Sequence, residues 1–209
     1  MTTYAALSGT ERTRVRRLPE RAGKDRDELY AILDAGRLCH LGVIVDGSPR
    51  VLPTGYGRDG DTLYLHGSTG AVSLRAEEIC VTVTHLDGLV LARSVFHHSM
   101  NYRSAVIYGR PHLVTDPEDK LTGLRAVVEQ LTPGRWDTAR RPTRKELAAT
   151  AVLALPLDEA SVKTRQGPPG DDEEDYALDV WAGVLPVTQS FGAPVPDPRL
   201  RPGIPYDGM

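Results

Sequence analysis

Three Asp-Gly dipeptides, each between two short apolar runs, constrain the fold of this chain more than any other feature of its sequence. They are Asp46-Gly47, Asp59-Gly60 and Asp87-Gly88. The flanking runs are rich in β-branched and aromatic residues, which favour strands. A type I′ turn requires positive φ at both central residues, and Asp-Gly adopts this conformation readily. We therefore predict three hairpins that join short strands into an antiparallel meander.

Further strand-like runs extend this meander into a sheet too large to stay flat. The predicted strands cover Leu38–Val45, Arg50–Gly55, Thr62–His66, Ile79–Thr84, Leu89–Val95, Tyr102–Thr115 and Ala151–Leu157. Closing such a set of antiparallel strands into a barrel removes the unpaired edges of the sheet. The sequence shows no repeat and no second core. We therefore predict a single, mainly β domain, a small barrel with peripheral helices.

Helix signals occur at three places outside the strands. Asp25 is a predicted N-cap for a helix that ends at Gly36. Asp116, which is followed by a proline, is the predicted N-cap of a second helix. Thr143 and Glu146 have the spacing of a capping box and predict a short third helix.

Both ends of the chain differ in composition from the predicted barrel, which covers residues 25–187. The first 26 residues carry seven Lys or Arg against three acids, so we expect residues 1–24 to form a solvated basic arm. Residues 188–209 are rich in proline, and we expect them to form an extended tail. Residues 167–175 include five consecutive acids. We expect them to form a solvated loop and not a site.

Composition excludes several classes of protein. No apolar stretch approaches the roughly 20 residues of a membrane-spanning helix, and the N-terminus lacks the apolar segment of a secretion signal. The 25 Lys and Arg against 28 Asp and Glu give a net charge of −3, which offers no basic field for nucleic acid. We expect a cytoplasmic protein without membrane or nucleic-acid partners, with Cys39 and Cys80 reduced.

The common catalytic and phosphate-binding signatures are absent from the sequence. There is no GxGxxG after a strand, no Walker A sequence, no GxSxG and no CxxC. His97 and His98 attract attention as metal ligands, but adjacent residues of a strand point to opposite faces. No nearby acid or cysteine in the sequence completes a ligand set. We therefore predict no metal site.

Two segments carry more polar groups than a core strand needs. Residues 63–70 form a strand that ends in His66 and a turn rich in Gly, Ser and Thr. Such a turn either presents free backbone N–H groups to a phosphate or is an ordinary strand-to-helix connection with a Ser or Thr cap. In residues 99–109, Arg103 is placed either to grip an anion or to pair with an acid at the barrel edge. The residues alone leave both choices open.

These segments, taken with two others, resemble a known family. The sequences are PTGY at 53–56, LYLHGS at 63–68, SMNYRSAVIYG at 99–109 and, after Lys163, WAGVLP at 181–186. In this order, over roughly residues 12–187, they resemble the pyridoxamine 5′-phosphate oxidase-like flavin-nucleotide-binding proteins, in the branch of the nitroimidazole-resistance proteins. The resemblance implies a split antiparallel β-barrel that binds FMN in a cleft between the two subunits of a homodimer.

The resemblance also implies which residues contact the cofactor. The strand at 50–54 is expected to run under the isoalloxazine ring, and the HGS turn at 66–68 to contact the flavin and its phosphate. Family members commonly have Lys or Arg directly after this turn, so Arg75, Arg103 or Lys163 is expected to replace that cation here. The full set of expected cofactor-binding residues is Pro53, Thr54, Gly55, Tyr56, Leu65, His66, Gly67, Ser68, Arg75, Tyr102, Arg103, Ser104, Lys163 and Trp181.

The function implied by the resemblance is flavin-dependent oxidoreduction of a small electron acceptor, such as a nitro-aromatic or quinone-like molecule. His66 is the best-placed proton donor, so we expect it to be the catalytic residue. One alternative is a barrel that binds a deazaflavin, or haem with His66, His97 or His98 as the axial ligand. Another is a non-catalytic dimer that binds or senses flavin.

Overall fold

The computed structural model describes residues 6–7 and 9–206 of the chain. The remaining residues of the predicted arm and tail, 1–5, 8 and 207–209, lie outside the described part. The helices are α1 (Arg26–Ala35), α2 (Pro117–Leu131), α3 (Arg135–Thr138) and α4 (Arg144–Ala149). The strands are β1 (Leu38–Val45), β2 (Ser48–Asp59), β3 (Thr62–Ser68), β4 (Ile79–Leu91), β5 (Ser99–Gly109), β6 (His112–Leu113), β7 (Thr150–Pro156), β8 (Glu159–Arg165) and β9 (Gly183–Pro186).

The strands form one antiparallel sheet that curls into a half-open barrel. Neighbouring strands follow the order β6-β7-β3-β2-β1-β4-β5-β8, and β9 pairs with β4. β2 belongs to both halves of the barrel, because residues 48–55 pair with β1 alone and residues 56–59 pair with β3. Beyond Leu65, β3 continues beside β7 without β2. The first part of β2 therefore has a free edge, and the predicted split barrel is confirmed.

Two of the three predicted Asp-Gly hairpins are confirmed. Asp46 and Gly47, with φ of 51° and 73°, join β1 to β2, and Gly60, with φ of 54°, joins β2 to β3. The third prediction is wrong, because Asp87-Gly88 lies inside β4. The pairing of β4 with β5 shifts between Leu86 and Gly88. The extra residue is taken up in a β-bulge, so this Asp-Gly bends the strand without reversing it.

The sequence analysis missed β8 and β9. In β8, buried Ala160 and Val162 alternate with polar residues, and the polar residues hide the strand among charged segments. β9 is only four residues long, too short for a periodic signal. The predicted strand over Tyr102–Thr115 is divided into β5 and β6, since Gly109 and Pro111 interrupt the pairing.

The predicted helix starts are confirmed by their caps. The side chain of Asp25 accepts a hydrogen bond from the N–H of Glu28, and Asp116 accepts bonds from the first turn of α2. Thr143 and Glu146 form the expected capping box at α4. None of the helices in the described ranges is long and apolar enough to cross a bilayer.

The basic arm is packed against the barrel, contrary to the expectation of a solvated segment. Arg12 forms ion pairs with both Glu78 and Glu159. The N–H of Gly23 donates to the carbonyl oxygen of Val162 at 2.9 Å. These contacts cover β8, the last strand in the sheet order. Arg12 and Glu159 are 147 residues apart, so no local pattern predicts their pairing.

Helix α2 packs across β2 and fixes the place where the two halves of the barrel meet. A Cβ atom built on Gly57 would fall 2.2 to 2.4 Å from backbone atoms of Ala126 and Val127. The side-chain nitrogen of Gln130 on α2 lies 2.6 to 3.0 Å from three carbonyl oxygens at the end of α1. The helix therefore approaches β2 at a point where only glycine fits, and it is tied to α1 as well.

Replacing Gly57 by alanine is expected to destabilise the protein strongly. The added methyl group would overlap with the α2 backbone, and overpacking costs about 1 to 3 kcal/mol, occasionally more. Chemical denaturation should show the lower free energy of unfolding. Gly55→Ala on the same strand is the matched control, because its Cβ would lie 3.7 Å from the Leu131 side chain, an ordinary contact. Equal stability of the two variants would contradict this role of Gly57.

Candidate functional site

A cavity of about 640 Å³ lies between the β1–β2 hairpin and the segment that leads into β4. β1 pairs with β4 only from His40 to Gly42, so the rest of the hairpin stands away from β4 and leaves this space open. The wall is formed by residues 42–44, 49–51 and 75–80, together with Arg12 and Tyr108. We call this cavity the hairpin cleft. Cys80 in its wall and the buried Cys39 are free thiols, as expected.

Two arginines line the hairpin cleft without a carboxylate partner. The side chain of Arg50 has no hydrogen-bond or ion-pair partner within the described ranges, and that of Arg75 donates to one backbone carbonyl oxygen at 3.1 Å. Among the acids in the wall, Glu78 is held by Arg12 at 2.5 Å, and Glu77 is exposed. Two guanidinium groups of the cleft are therefore not in direct contact with a carboxylate, and such groups suit a phosphate or another anion.

Arg75 belongs to the residues expected to replace the family's cation, whereas Arg50 is missing from the expected set. The pairing register could have revealed it. Arg50 lies opposite Val43, whose side chain is buried in the barrel, so Arg50 is on the inward side of β2 at its open end. Its side chain is exposed to solvent at the mouth of the hairpin cleft and is accessible to an anion.

The HGS turn does not present the free N–H groups that its composition suggests. The N–H of Thr69 donates to the carbonyl oxygen of Ala149 at 3.1 Å. The N–H of Ala71 donates to the carbonyl oxygen of Ser68 at 2.9 Å, and that of Gly70 to Ser68 Oγ at 3.2 Å. The turn is therefore an ordinary connection between β3 and the 3₁₀ turn Val72–Arg75, but the N-cap residue of that 3₁₀ turn is Ala71 and not the expected Ser or Thr. The N–H groups of Thr69, Gly70 and Ala71 are thus not available to a phosphate.

The other two cations expected at the phosphate are already engaged. Arg103 donates two parallel hydrogen bonds to Asp87 at 2.8 and 2.9 Å, and this pairing lowers the pKa of Asp87 from its usual value. Lys163 donates through Nζ to the carbonyl oxygen of Arg17 at 2.9 Å. Pairing with an acid is thus the alternative that the structure supports for Arg103. Of the three cations, Arg75 lies in the hairpin cleft.

Tyr56 does not face a cofactor cleft, so the expected contact with a flavin ring is contradicted. Its side chain is fully buried in the core, and its hydroxyl donates to the carbonyl oxygen of Leu33 at 2.5 Å. Burial raises the pKa of Tyr56. The reason is the register, since Tyr56 lies opposite the buried Leu65 where β2 begins to pair with β3. Leu65 itself is also a core residue.

The remaining expected residues fall into two groups that are separated along the sheet. Pro53 on β2 and Tyr102 and Ser104 on β5 alternate with inward-facing neighbours, so they lie on the outer face. His66 and Ser68 belong to β3, which is next to β2 and four strands from β5 in the sheet order. The expected residues of β3 and β5 are thus separated along the curled sheet.

Trp181 lies with neither group. Its side chain is 69% exposed, and its ring rests over Gly183 at the start of β9. A large apolar ring left in solvent is typical of a surface that meets another molecule. Its expected role at the cofactor stays a prediction.

His66 is exposed on β3, and its imidazole ring has no hydrogen-bond partner in the described part of the chain. Nearby chain partly removes water from the ring, and this desolvation lowers the pKa of His66 from its usual value. A lowered pKa favours the neutral imidazole at neutral pH, which accepts a proton more readily than it donates one. The expected catalytic role of His66 stays a prediction.

A second cavity, of about 520 Å³, lies near the start of β1 and beside β4. Arg37, His40 and His85 line it, and Phe191 of the tail closes one side, with the Arg37 guanidinium carbon 5.5 Å from the ring centroid. Arg37 Nε is buried and has no hydrogen-bond partner in the described residues. The sequence analysis missed this cavity because its walls come from three separate segments of the chain.

The loop after β4 presents two histidines with different partners. It forms a 3₁₀ turn at Val95–His97, whereas the sequence analysis assumed that His97 and His98 lie in a strand. His97 Nε2 lies 3.3 Å from Asp172 Oδ2, and His98 Nδ1 lies 3.1 Å from the carbonyl oxygen of Ser94. A carbonyl oxygen can only accept, so in this contact Nδ1 of His98 carries the proton. The Nε2 atom of His98 is then a free acceptor.

A row of exposed apolar side chains lies next to this loop. Leu89 is paired with Met100 on β5 and with Leu185 on β9, so the three side chains share one face of the sheet. Val95 and Phe96 in the loop are 90% and 86% exposed. An apolar surface of this extent beside a free imidazole nitrogen suits a flat, apolar ligand with a metal centre.

A family model described as pyridoxamine 5′-phosphate oxidase matches residues 25–164 of this chain. The matched range includes the HGS turn, both histidines of the loop and nearly all of the hairpin cleft. The chain belongs to the pyridoxamine 5′-phosphate oxidase family. The resemblance seen in the sequence motifs is thereby confirmed. No functionally curated protein matches the sequence.

Solved structures share this family fold over much of the chain. The flavocytochrome Anf3 from Azotobacter vinelandii is 44% identical, with a TM-score of 0.90 over 96% of this chain and 95% of that one. The FAD and haem binding protein from Mycobacterium smegmatis is 41% identical, with a TM-score of 0.85 over 89% and 93%. A putative 5-nitroimidazole antibiotic resistance protein from Bacteroides thetaiotaomicron is 24% identical, with a TM-score of 0.58 over 68% and 85%, and shares the fold.

Replacing Tyr56 by phenylalanine is expected to lower stability and to leave flavin affinity unchanged. The variant loses a buried hydrogen bond to Leu33, which is worth about 1 kcal/mol. Chemical denaturation measures the first effect, and fluorescence titration with FMN and FAD measures the second. Tyr102→Phe on the outer face is the comparison variant. A loss of flavin affinity in Tyr56→Phe with unchanged stability would contradict the core role.

Proposed function

We propose that this protein binds a flavin nucleotide and a haem and passes electrons between them. The observation that carries the proposal is the 44% identity to a flavocytochrome over 96% of the chain. The second structure, 41% identical, is described as binding FAD and haem. Both likenesses cover more of the chain than the family model does. The similarity to these two structures therefore extends beyond the barrel into the arm or the tail.

The hairpin cleft is the proposed site of the flavin phosphates. Arg50 and Arg75 supply charge that is not used by an acid of the chain. The free edge of β2 borders the cleft at residues 49–51, where backbone groups are available to the edge of a ring. A planar guanidinium fits phosphate oxygens in a bidentate manner. The donor set present thus fits a flavin nucleotide.

FAD is the proposed form of the flavin, in place of the FMN expected from the sequence motifs. The support is the description of the 41% identical structure as an FAD and haem binding protein. FMN differs from FAD by the missing adenylate half, so mass spectrometry of the flavin released from the purified protein distinguishes the two.

His98 is the proposed axial ligand of the haem. Its Nδ1 atom is held by the carbonyl oxygen of Ser94, and such an outer hydrogen bond fixes the ring and leaves Nε2 for a metal. The exposed row of Leu89, Met100 and Leu185 offers an apolar surface close by. His97, the neighbouring candidate, is already in contact with Asp172 through Nε2.

A homodimer with a composite site is part of the proposal. The HGS turn and the expected β5 residues lie on strands that are four apart in the sheet order, and a second copy of the chain would bring its own β5 residues to the HGS turn of the first. When bound, the flavin supplies hydride or electron-pair chemistry, and the haem supplies single-electron chemistry. His66, with its lowered pKa, is the proposed proton-exchanging residue. The proposed substrate is a small electron acceptor, nitro-aromatic or quinone-like.

Arg50 and Arg75 are expected to be required for tight flavin binding. Either Arg50→Gln or Arg75→Gln removes a charge-assisted hydrogen bond worth about 1.5 to 3 kcal/mol, so affinity should fall by roughly 10- to 150-fold. Fluorescence titration of flavin-free protein with FAD and with FMN measures the change. Arg125→Gln, on the exposed side of α2, is the control. Purified protein that contains no flavin and takes up neither nucleotide would overturn the flavin part of the proposal.

His98→Ala is expected to remove the haem ligand. Haem titration of the wild type should give a Soret band with the sharp features of an imidazole complex, and the variant should show a weaker, shifted band. His112→Ala, an exposed histidine on β6, is the control. An unchanged Soret band in His98→Ala would contradict this ligand assignment. A wild-type protein that takes up no haem would contradict the haem part of the proposal.

A further inference from the structure

Three potential metal ligands meet where the loop after β4 contacts the acidic segment 171–175. One ring nitrogen of His97 and one carboxylate oxygen each of Asp172 and Asp175 lie within 4.8 Å of one another. We propose that His97, Asp172 and Asp175 form a binding site for a divalent transition-metal ion, with Zn²⁺ as the preferred ion. This site goes beyond the proposed flavin and haem function and does not depend on it.

The distances in the cluster are close to those of a zinc site. Zinc bonds to nitrogen and oxygen of about 2.1 Å in tetrahedral geometry place the ligand atoms about 3.4 Å apart. His97 Nε2 and Asp172 Oδ2 are already 3.3 Å apart. The carboxylate oxygen of Asp175 lies within 4.8 Å of both atoms, so it has to approach each of them by at most about 1.4 Å to complete the arrangement.

A buried carboxylate anchors the acidic segment against the histidine loop. The side chain of Asp171 is fully buried and accepts hydrogen bonds from the N–H groups of Arg93 and Ser94 at 2.9 and 3.2 Å. It also pairs with Arg93 Nη1 at 3.1 Å. Asp171 thus fixes the start of the segment that carries Asp172 and Asp175, so the cluster rests on a rigid support. The acidic segment, which the sequence predicted to be a solvated loop, is therefore held to the protein at its first residue, Asp171.

Local charge favours a cation at this place. Residues 171–175 are five consecutive acids, and Arg93 is the partner of Asp171 alone. In the described ranges, no Lys or Arg forms an ion pair with the four acids that follow. Like charges at this density repel one another. A divalent ion between two of them would relieve that repulsion.

The donor set argues for a transition metal over Ca²⁺ or Mg²⁺. Those hard cations prefer all-oxygen sites, whereas an imidazole nitrogen suits Zn²⁺ and its neighbours. Three protein ligands leave a fourth position for water, as in zinc sites that remain open. The sequence analysis predicted no metal site because it looked for acids near His97 in the sequence. His97 and Asp172 are 75 residues apart.

Metal titration of the untagged, full-length protein tests the proposal. After treatment with EDTA and desalting, isothermal calorimetry with ZnCl₂ should show one ion per chain with a micromolar dissociation constant. CoCl₂ should give the visible absorption bands of a low-symmetry, near-tetrahedral N/O site. The double variant Asp172→Asn/Asp175→Asn should bind at least about tenfold more weakly, and His97→Gln should abolish the cobalt bands.

Glu173→Gln/Glu174→Gln is the matched control, because it removes the same charge from the same segment outside the cluster. Its zinc affinity should stay within about threefold of the wild type. Equal losses in both double variants would mean diffuse attraction to an acidic segment and would overturn the site. An absence of zinc binding at 1:1 stoichiometry would overturn it as well. Thermal unfolding with and without ZnCl₂ checks that each variant is folded, and the wild type should melt at a higher temperature with the ion.

Discussion

The change of partner along β2 is the constraint on which the rest of the structure depends. Residues 48–55 pair with β1 and residues 56–59 with β3, so one strand joins the two halves of the barrel. Gly57 at this junction lets the α2 backbone come within contact of the strand. The same junction turns Tyr56 into the core and leaves the first part of β2 with a free edge. The hairpin cleft, the hidden tyrosine and the position of Arg50 all follow from it.

Local chemistry predicted the parts of the fold whose causes are local. The Asp46-Gly47 hairpin and the caps at Asp25, Asp116 and Thr143 depend on residues within a few positions of one another. Asp87-Gly88 has the same composition, but the pairing of β4 with both β5 and β9 keeps the strand continuous. Tertiary pairing thus overrides the turn preference there. The packing of the arm depends on contacts between residues more than one hundred positions apart, so no local sequence pattern reveals it.

Residue type was enough to predict part of the candidate site. The direction in which each side chain faces was not predictable from the sequence. The motifs identified the family, and Arg75 was expected near an anion and lies in the hairpin cleft. Tyr56 was expected at the ring, yet the register turns it inward, and Arg103 meets Asp87 at the bulge. The N–H groups expected to be free after the HGS turn donate instead to Ser68 and to the carbonyl oxygen of Ala149. Each of these outcomes depends on a partner strand or a bulge that cannot be recognised from the sequence alone.

The edges of this sheet determine how copies of the chain can approach one another. The strand at one end of the sheet, β6, is only two residues long and offers little edge for pairing. At the other end, the arm covers β8 through the bridge of Ala22 with Lys163 and the Gly23 hydrogen bond. The free stretch of β2 contains Pro49 and Pro53, which have no N–H to donate. The half-open barrel therefore resists growth by strand addition, the usual first step of β-sheet aggregation, and leaves side-chain surfaces as its means of association.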